Sequence, residues 1–310
     1  MASAPAGAAS LGRRRPRPTL TAGILDREAP LGYILLLPAL VILGIFLAYP
    51  FAFGIWLALS DSTIGNTGNF IGLANFQYLF AHDPIFLRTV TNTFEYTFVT
   101  VVIKFGLGLA MAAVLNVNFR FNRFARAAML LPWIIPTVLS TLAWLWMFDS
   151  TFSVFNWTLK QVGIKGPIWL GQGSWAMASL MLVNIWRGTP FFGISLLAAM
   201  QTVPQDLYEA AAVDGATSFR RWLHVTVPMI RPVILIVTLL SIILTFADFQ
   251  IIWILTKGGP VNSTHVFATY AFQTGVQGAG DIGIGAAISL VMFPFLCLVI
   301  AVVLWLLRRE

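Results

Sequence analysis

Residues 285–307 form the stretch GAAISLVMFPFLCLVIAVVLWLL, which decides the fold class of the chain. It contains no charged residue and exceeds the roughly 20 residues that cross a ~30 Å hydrocarbon layer as a helix. Five similar apolar runs precede it, at about residues 31–59, 90–115, 124–148, 175–200 and 233–255. The sequence therefore predicts an all-α polytopic membrane protein, with six transmembrane helices in one domain over residues 30–310.

The composition points to the same class. Apolar residues make up 58% of the 310 residues and charged residues only 10%, whereas soluble domains are roughly a quarter charged. Residues 1–29 differ from the rest of the chain, because they are rich in Ala, Pro and Arg and show no apolar periodicity. We expect them to form a disordered tail.

Positive charge is distributed unevenly between the two sides of the predicted spans. Arginine is concentrated in the tail, in the second and fourth loops and at the C terminus, whereas the other side has Arg88, Lys160, Lys165 and Lys257. Because cationic loops remain in the cytoplasm, both termini and the fourth loop, at 202–228, are predicted to be cytoplasmic in a bacterial inner membrane. This distribution explains the net charge of +7, so membrane lipid is an expected partner and nucleic acid is not.

Several kinds of chemistry have no residues to support them. Cys297 is the only cysteine, and the three histidines fall on different loops without metal-ligand spacing. There is no Gly-x-x-x-x-Gly-Lys-Ser/Thr sequence that would bind ATP phosphates. We therefore expect no catalytic residue, no metal and no cofactor, and any ATP hydrolysis would occur in a separate subunit.

The fourth loop is predicted to contain two short helices. Thr202 and Gln205 form a candidate capping box at the start of the first helix. Gly215 then permits a turn that a residue with a side chain would resist, and Ser218 is placed to cap a second helix that Pro228 ends. The structural alternative is an ordinary amphipathic loop at the membrane surface.

The spacing within this loop carries a family resemblance. The order is Glu209-Ala210-Ala211, Gly215, Val225 and Val227-Pro228. It resembles the EAA loop, with Val at two positions where the usual pattern has Ile and Leu. The segments FIGLANF at residues 70–76 and LTKGGP at residues 255–260 extend the resemblance to the sugar-type (maltose/glycerol-phosphate-like) permeases of ABC importers. The residues to which the resemblance assigns ATPase coupling are Glu209, Ala210, Ala211, Asp214, Gly215 and Pro228.

The resemblance also implies an assembly. Permeases of this class form the pore as a pair, so a second homologous permease subunit is expected. A dimer of ATP-binding ABC subunits would dock on the cytoplasmic side, and an extracytoplasmic solute-binding protein would deliver the sugar substrate. Transport would proceed by alternating access, with this chain forming half of the path.

Two polar stripes indicate where a substrate passes. Because polar groups inside spans face cavities or other helices, the side chains that share one face of the fourth and fifth spans are candidates for an aqueous path. With Leu244 added by the resemblance, these candidates are Asn184, Arg187, Gly188, Phe191, Ser241, Leu244, Thr245 and Asp248. The alternative is that they bind each other as contacts between helices, for example through an Arg187–Asp248 salt bridge.

The cargo is less defined than the path. By resemblance, Arg187, Thr245 and Asp248 depart from the maltose-type residues, so maltose itself is not implied, and Arg187 would favour an anionic sugar if it is not paired with Asp248.

In the second span Glu95 and Lys104 lie nine residues apart and hence on opposite faces. Glu95 is expected near the outer end, and Lys104 is expected to meet the partner subunit.

Other function classes remain open from the residues alone. An ion-coupled secondary transporter of a small polar solute would not need the ATPase contact and should carry titratable groups near the membrane centre. A membrane-embedded enzyme would need clustered His, Asp, Glu or Cys at the water boundary. An ABC permease for amino acids or metals is disfavoured by the resemblance at residues 184–191 and 256–260.

Overall fold

The computed structural model describes residues 28–117 and 119–308. Within these ranges the chain is helical, and its β-structure is limited to two isolated bridges. The predicted disordered tail at 1–29 lies outside the described residues, except for Glu28 and Ala29, which begin the first helix. The all-α prediction is confirmed.

The chain divides into two compact units, residues 1–53 and 54–310. The described part of the first unit contains α1 (Glu28–Leu43), a π-helical turn (Gly44–Ala48) and the start of α2 (Tyr49–Ala58). Large apolar side chains in this segment, such as Tyr33, Leu35 and Phe46, are exposed. A helix that is apolar on all sides suits contact with lipid or with another protein rather than with water.

The second unit contains the remaining helices. They are α3 (Ala74–His82), α4 (Pro84–Asn116), α5 (Asn122–Ile134), α6 (Thr137–Met147), α7 (Val154–Gln161), α8 (Gly173–Met200), α9 (Gln205–Val213), α10 (Ser218–Arg221), α11 (Val227–Met229), α12 (Arg231–Phe246), α13 (Gln250–Leu255), α14 (Phe267–Phe272) and α15 (Ile282–Leu307), with π-helical turns at Trp222–Thr226 and Gln273–Gln277.

Five stretches of helix are long and apolar enough to cross a membrane. They are Gly32–Ala58, Pro84–Leu115, Gly173–Met200, Arg231–Leu255 and Ile282–Leu307. The second stretch begins six residues earlier than the apolar run at 90–115. The Asp83 side chain explains this start, because it accepts hydrogen bonds from the backbone N–H groups of Ile85 and Phe86 and caps α4.

The third predicted span is not one straight helix. α5 and α6 meet at an angle of 89°, so the chain has six spans only if this bent pair counts as one. Ile135 is extended, with φ −62° and ψ 131°, because the ring of Pro136 disfavours a helical residue before it. The apolar run at 124–148 is continuous in the sequence, but Pro136 breaks the helix that it forms.

The long helix α8 lies at the centre of the second unit and packs along α4. One buried apolar cluster includes Leu180 and Val183 of α8, and a second begins at Phe192 and includes Leu196. Gly108 of α4 lies against Phe192, where an added side chain would clash. The two clusters leave the stretch at residues 184–191 between them, and one group of buried polar side chains, including Lys104, Asn184 and Thr245, lies there.

The loop before α14 is anchored to α4 by side-chain hydrogen bonds. Asn92 donates through Nδ2 to the backbone oxygens of Ser263 (2.9 Å) and His265 (3.1 Å). The hydroxyl of Tyr270 donates to the Asp83 carboxylate at 2.6 Å. These contacts hold the connection between α13 and α15 against the start of the second span.

Candidate functional site

A cavity of about 400 Å³ lies between α4, α8, α12 and the bent pair α5–α6. All eight residues that were predicted to line a substrate path contribute to its wall: Asn184, Arg187, Gly188, Phe191, Ser241, Leu244, Thr245 and Asp248. The wall is completed by Lys104, Trp133, Thr137, Ala247, Phe249 and Gln250. The structure therefore brings the two predicted stripes together in one cavity.

Asp248 lies at a break between two helices. α12 ends at Phe246 and α13 begins at Gln250, so the carboxylate sits in a short non-helical segment rather than on the face that Ser241 and Thr245 share on α12. Its Oδ2 accepts hydrogen bonds from the Tyr96 hydroxyl (2.8 Å) and from Asn184 Nδ2 (3.0 Å). Broken helices inside membranes are tolerated where the freed backbone lines a cavity.

Lys104 is the centre of the polar network. Its ammonium group donates to Asn184 Oδ1 at 2.9 Å and to Thr245 Oγ1 at 2.7 Å, and the residue is only 3% exposed. Asn184 therefore bridges the cation to the Asp248 carboxylate. A buried charge is stable only when it is paired and hydrogen-bonded, and this network supplies both conditions.

The expectation that Lys104 meets the partner subunit is wrong. Its side chain crosses to α8 and passes over Gly188, where a Cβ atom would lie 2.5 Å from Lys104 Cδ. Gly188 thus lines the cavity and also makes room for the cation. Glu95, predicted to lie on the opposite face of α4, is exposed.

The alternative of an Arg187–Asp248 salt bridge is also wrong. Among the described residues Arg187 forms no ion pair, and its Nε is buried without a hydrogen-bond partner. Its guanidinium group lies over the Trp133 ring, with Cζ 5.3 Å from the centroid, and Trp133 stacks on Phe191 at 5.0 Å. Asp248 accepts from Tyr96 and Asn184 instead, so its charge is compensated without Arg187.

The fourth loop forms two short helical segments joined at Gly215. α9 ends at Val213, and Gly215 has φ +78°, in the left-handed region that favours glycine. The hydroxyl groups of Tyr208 and Thr226 are 2.8 Å apart and tie the two segments together. The residues predicted to couple to an ATPase divide by exposure: Glu209, Ala210, Asp214, Gly215 and Pro228 are exposed, and Ala211 is half-buried.

Three local details differ from the sequence-based expectation. The capping box is absent, because Pro204 occupies the N-cap of α9 and the Thr202 hydroxyl donates to the backbone oxygen of Ala199 at 2.8 Å. Thr217 rather than Ser218 caps α10. The second segment continues one residue beyond Pro228 and ends at Met229.

Two aromatic residues of the site were not predicted. Tyr96 donates to Asp248 from α4, and the Trp133 ring contacts both Arg187 and Phe191. The sequence does not distinguish Tyr96 and Trp133 as site residues, because aromatic residues are frequent throughout the apolar runs of this chain.

Comparison with known proteins gives consistent similarities. Residues 104–310 match the profile of a protein family described as "Binding-protein-dependent transport system inner membrane component". The chain is 36% identical over 275 residues to the trehalose/maltose transport system permease protein MalF of Thermococcus litoralis, which covers 88% of this chain and 92% of that protein. It is 34% identical over 282 residues to the sulfoquinovosyl glycerol transport system permease protein SmoG of Agrobacterium fabrum, covering 90% of this chain and 91% of that protein.

A solved structure has the same fold. It is the crystal structure of a bacterial ABC transporter involved in the import of the acidic polysaccharide alginate, and one of its chains superposes with a TM-score of 0.77 at 25% identity. The match covers 92% of this chain and 96% of that chain.

Proposed function

The chain belongs to the family of inner-membrane components of binding-protein-dependent transport systems, and from this premise we propose that it forms half of the translocation path of an ATP-driven carbohydrate importer. The observation that carries the proposal is a cavity of about 400 Å³ that lies between long apolar helices and is lined in part by charged, amide and hydroxyl side chains. Polar groups are costly inside a membrane unless they line a path or a binding site.

The lining of the cavity suits a sugar. Hydroxyl, amide and charged groups from α8 and α12 can exchange hydrogen bonds with sugar hydroxyls. Phe191, Trp133 and Phe249 add aromatic surface for the apolar face of the ring. The relatives named for trehalose/maltose and for sulfoquinovosyl glycerol support a carbohydrate over other cargo classes.

The segment at residues 205–229 is the proposed contact for a separate ATPase. Its exposed surface includes apolar side chains, since Val213 is 88% exposed and Phe219 is 69% exposed. We assign the contact to the residues already named from the loop spacing: Glu209, Ala210, Ala211, Asp214, Gly215 and Pro228. Apolar side chains next to an exposed acidic residue are typical of a docking surface.

The remaining partners and the orientation follow from the same proposal. The segment would face the cytoplasm together with both termini, as the arginine distribution indicates. The working assembly would contain a second homologous permease subunit, a dimer of ATP-binding subunits and an extracytoplasmic solute-binding protein. ATP binding would draw the coupling segments together and open the cavity outward, and hydrolysis would return it to the inward-facing state.

The test replaces the glycine at the bend. Gly215→Asp should leave membrane insertion intact and abolish ATP hydrolysis stimulated by the loaded binding protein, measured on the reconstituted importer. Gly163→Asp is a matched control, because Gly163 has φ +76°, Gly215 has φ +78° and neither has a neighbour within 4 Å of an added Cβ. Both substitutions introduce the same backbone strain. A loss of stimulated ATP hydrolysis in Gly215→Asp alone would therefore indicate that a partner protein contacts Gly215.

Unchanged stimulation in Gly215→Asp would contradict the coupling proposal. An ion-coupled transporter would give a different pattern, in which uptake survives loss of Glu209 and Gly215 and stops when the proton or sodium gradient is collapsed by an ionophore.

A further inference from the structure

The cavity has an unequal number of positive and negative groups. Its lining contains three ionisable side chains, which are Lys104, Arg187 and Asp248. Two are cationic and one is a carboxylate, so the formal sum is +1. A proton exchanged between Lys104 and Asp248 would change which groups are charged but not the sum.

The charges of Lys104 and Asp248 compensate each other through Asn184. Lys104 donates to Asn184 and Thr245, and Asn184 in turn donates to Asp248, which also accepts from Tyr96. Only the Asn184 side chain separates the ammonium group of Lys104 from the Asp248 carboxylate, so the charge of the lysine is compensated within the protein. The surplus positive charge therefore belongs to Arg187.

Arg187 has no hydrogen-bond acceptor among the described residues, although a guanidinium group carries five N–H donors. Its position is nevertheless defined, because it lies over the Trp133 ring and Trp133 stacks on Phe191. Stacking uses the flat face of a guanidinium group and leaves its N–H edge available for a planar anion. A donor set held in place without an acceptor is what a binding residue for an anion requires.

We propose that the cavity receives a sugar bearing a carboxylate, and that Arg187 is the residue that binds this group. The inference rests on the proposed carbohydrate import and narrows its substrate class. A neutral sugar would leave the charge of Arg187 uncompensated when water is displaced from the cavity, which is unfavourable. An anion compensates the charge and accepts from the free N–H edge.

The experiment compares acidic and neutral sugars on the complete importer in proteoliposomes. The probes are glucuronate, galacturonate and maltobionate, each against its neutral parent, which are glucose, galactose and maltose. ATP-dependent uptake is measured for the unmodified chain and for Arg187→Gln, Arg187→Lys and Arg88→Gln. Arg88 is the control, since it is an exposed arginine outside the cavity.

The unmodified importer should take up the acidic member of a pair in preference to the neutral one. Arg187→Gln should lower uptake of the acidic member by about tenfold or more, because a charge-assisted hydrogen bond is lost, and should raise uptake of the neutral member, because no uncompensated charge is then left in the cavity. Arg187→Lys should keep part of the preference and Arg88→Gln all of it. The comparison within the unmodified chain needs no variant, so it decides the question even if Arg187→Gln fails to insert.

Three results would overturn the inference. They are preference of the unmodified importer for the neutral parent, equal loss of both members in Arg187→Gln, and an Arg187→Gln chain that inserts normally but fails to assemble with the second permease subunit, which would assign its charge to the subunit interface. Uptake of none of the six sugars would instead count against carbohydrate import itself.

Discussion

Removing the buried ammonium group of Lys104 should destabilise the protein, and removing the Asp248 charge as well should add less than Asp248→Asn costs alone. In Lys104→Met, the oxygens of Asn184 and Thr245 lose a charged donor, and the Asp248 carboxylate loses the nearby cation. Hydrogen bonds to charged groups contribute about 1.5–3 kcal/mol each, and the Lys104 ammonium group donates two of them. We therefore expect a loss of about 3–6 kcal/mol for the single variant.

The double variant isolates the coupling between the two charges. Asp248→Asn alone leaves Lys104 as a buried cation without a nearby carboxylate. In Lys104→Met/Asp248→Asn neither unpaired charge remains, and the amide can still accept from the Tyr96 hydroxyl. The loss for the double variant should therefore be smaller than the sum of the two single losses, by at least about 1 kcal/mol.

The assay is reversible unfolding of the purified chain in mixed micelles, followed by tryptophan fluorescence. Lys165→Met serves as the control, because Lys165 is exposed, and its effect should stay within about 0.5 kcal/mol. Additive losses, within about 0.5 kcal/mol, would refute the argument that Lys104 and Asp248 act as one network.

Two further results are expected. Gly188→Ala places a Cβ 2.5 Å from Lys104 Cδ and should lower both thermal stability and sugar uptake. Gly106→Ala is the control, because an added Cβ there has no neighbour within 4 Å, and it should change neither property. Equal effects of the two variants would contradict the inference that Gly188 leaves space for the Lys104 side chain. Burial lowers the pKa of His265 to about 4, so its neutral form is favoured by folding, and stability should be constant above about pH 6.5 and fall by up to about 3 kcal/mol toward pH 4. Thermal unfolding across this range should show a weaker pH dependence in His265→Gln, and an identical dependence would exclude His265 as the titrating group.

The sequence predicted the spans well, because the length and polarity of an apolar run are local properties. Five of the six runs correspond to stretches that are long and apolar enough to cross a membrane. The exception is the third, where Pro132 and Pro136 were visible but the run was treated as one helix. The angle of 89° between α5 and α6 depends on the packing of α5 against α8 and of α6 against α13, which no local pattern contains.

The polar residues of the cavity were predictable from helical spacing, but their partners were not. Spacing places Asn184 and Arg187 near one face of α8, and it cannot decide which neighbouring helix that face contacts. Nothing in the spacing shows that α4 packs along α8 and brings Lys104 to Asn184. Opposite charge alone suggests an Arg187–Asp248 pair, but the structure has none, because Asn184 and Tyr96 donate the hydrogen bonds that the Asp248 carboxylate accepts.

The proposed coupling segment and the cavity are joined through the helices that carry both. α8 continues from Phe191 to Met200, about 14 Å along its axis, and then leads into α9. On the other side α11 leads into α12, which carries Ser241 about 18 Å further on. A displacement of residues 205–229 would therefore act on both walls of the cavity through continuous helices. Because Lys104 of α4 binds groups on both α8 and α12, relative movement of these helices would have to break or rearrange its hydrogen bonds.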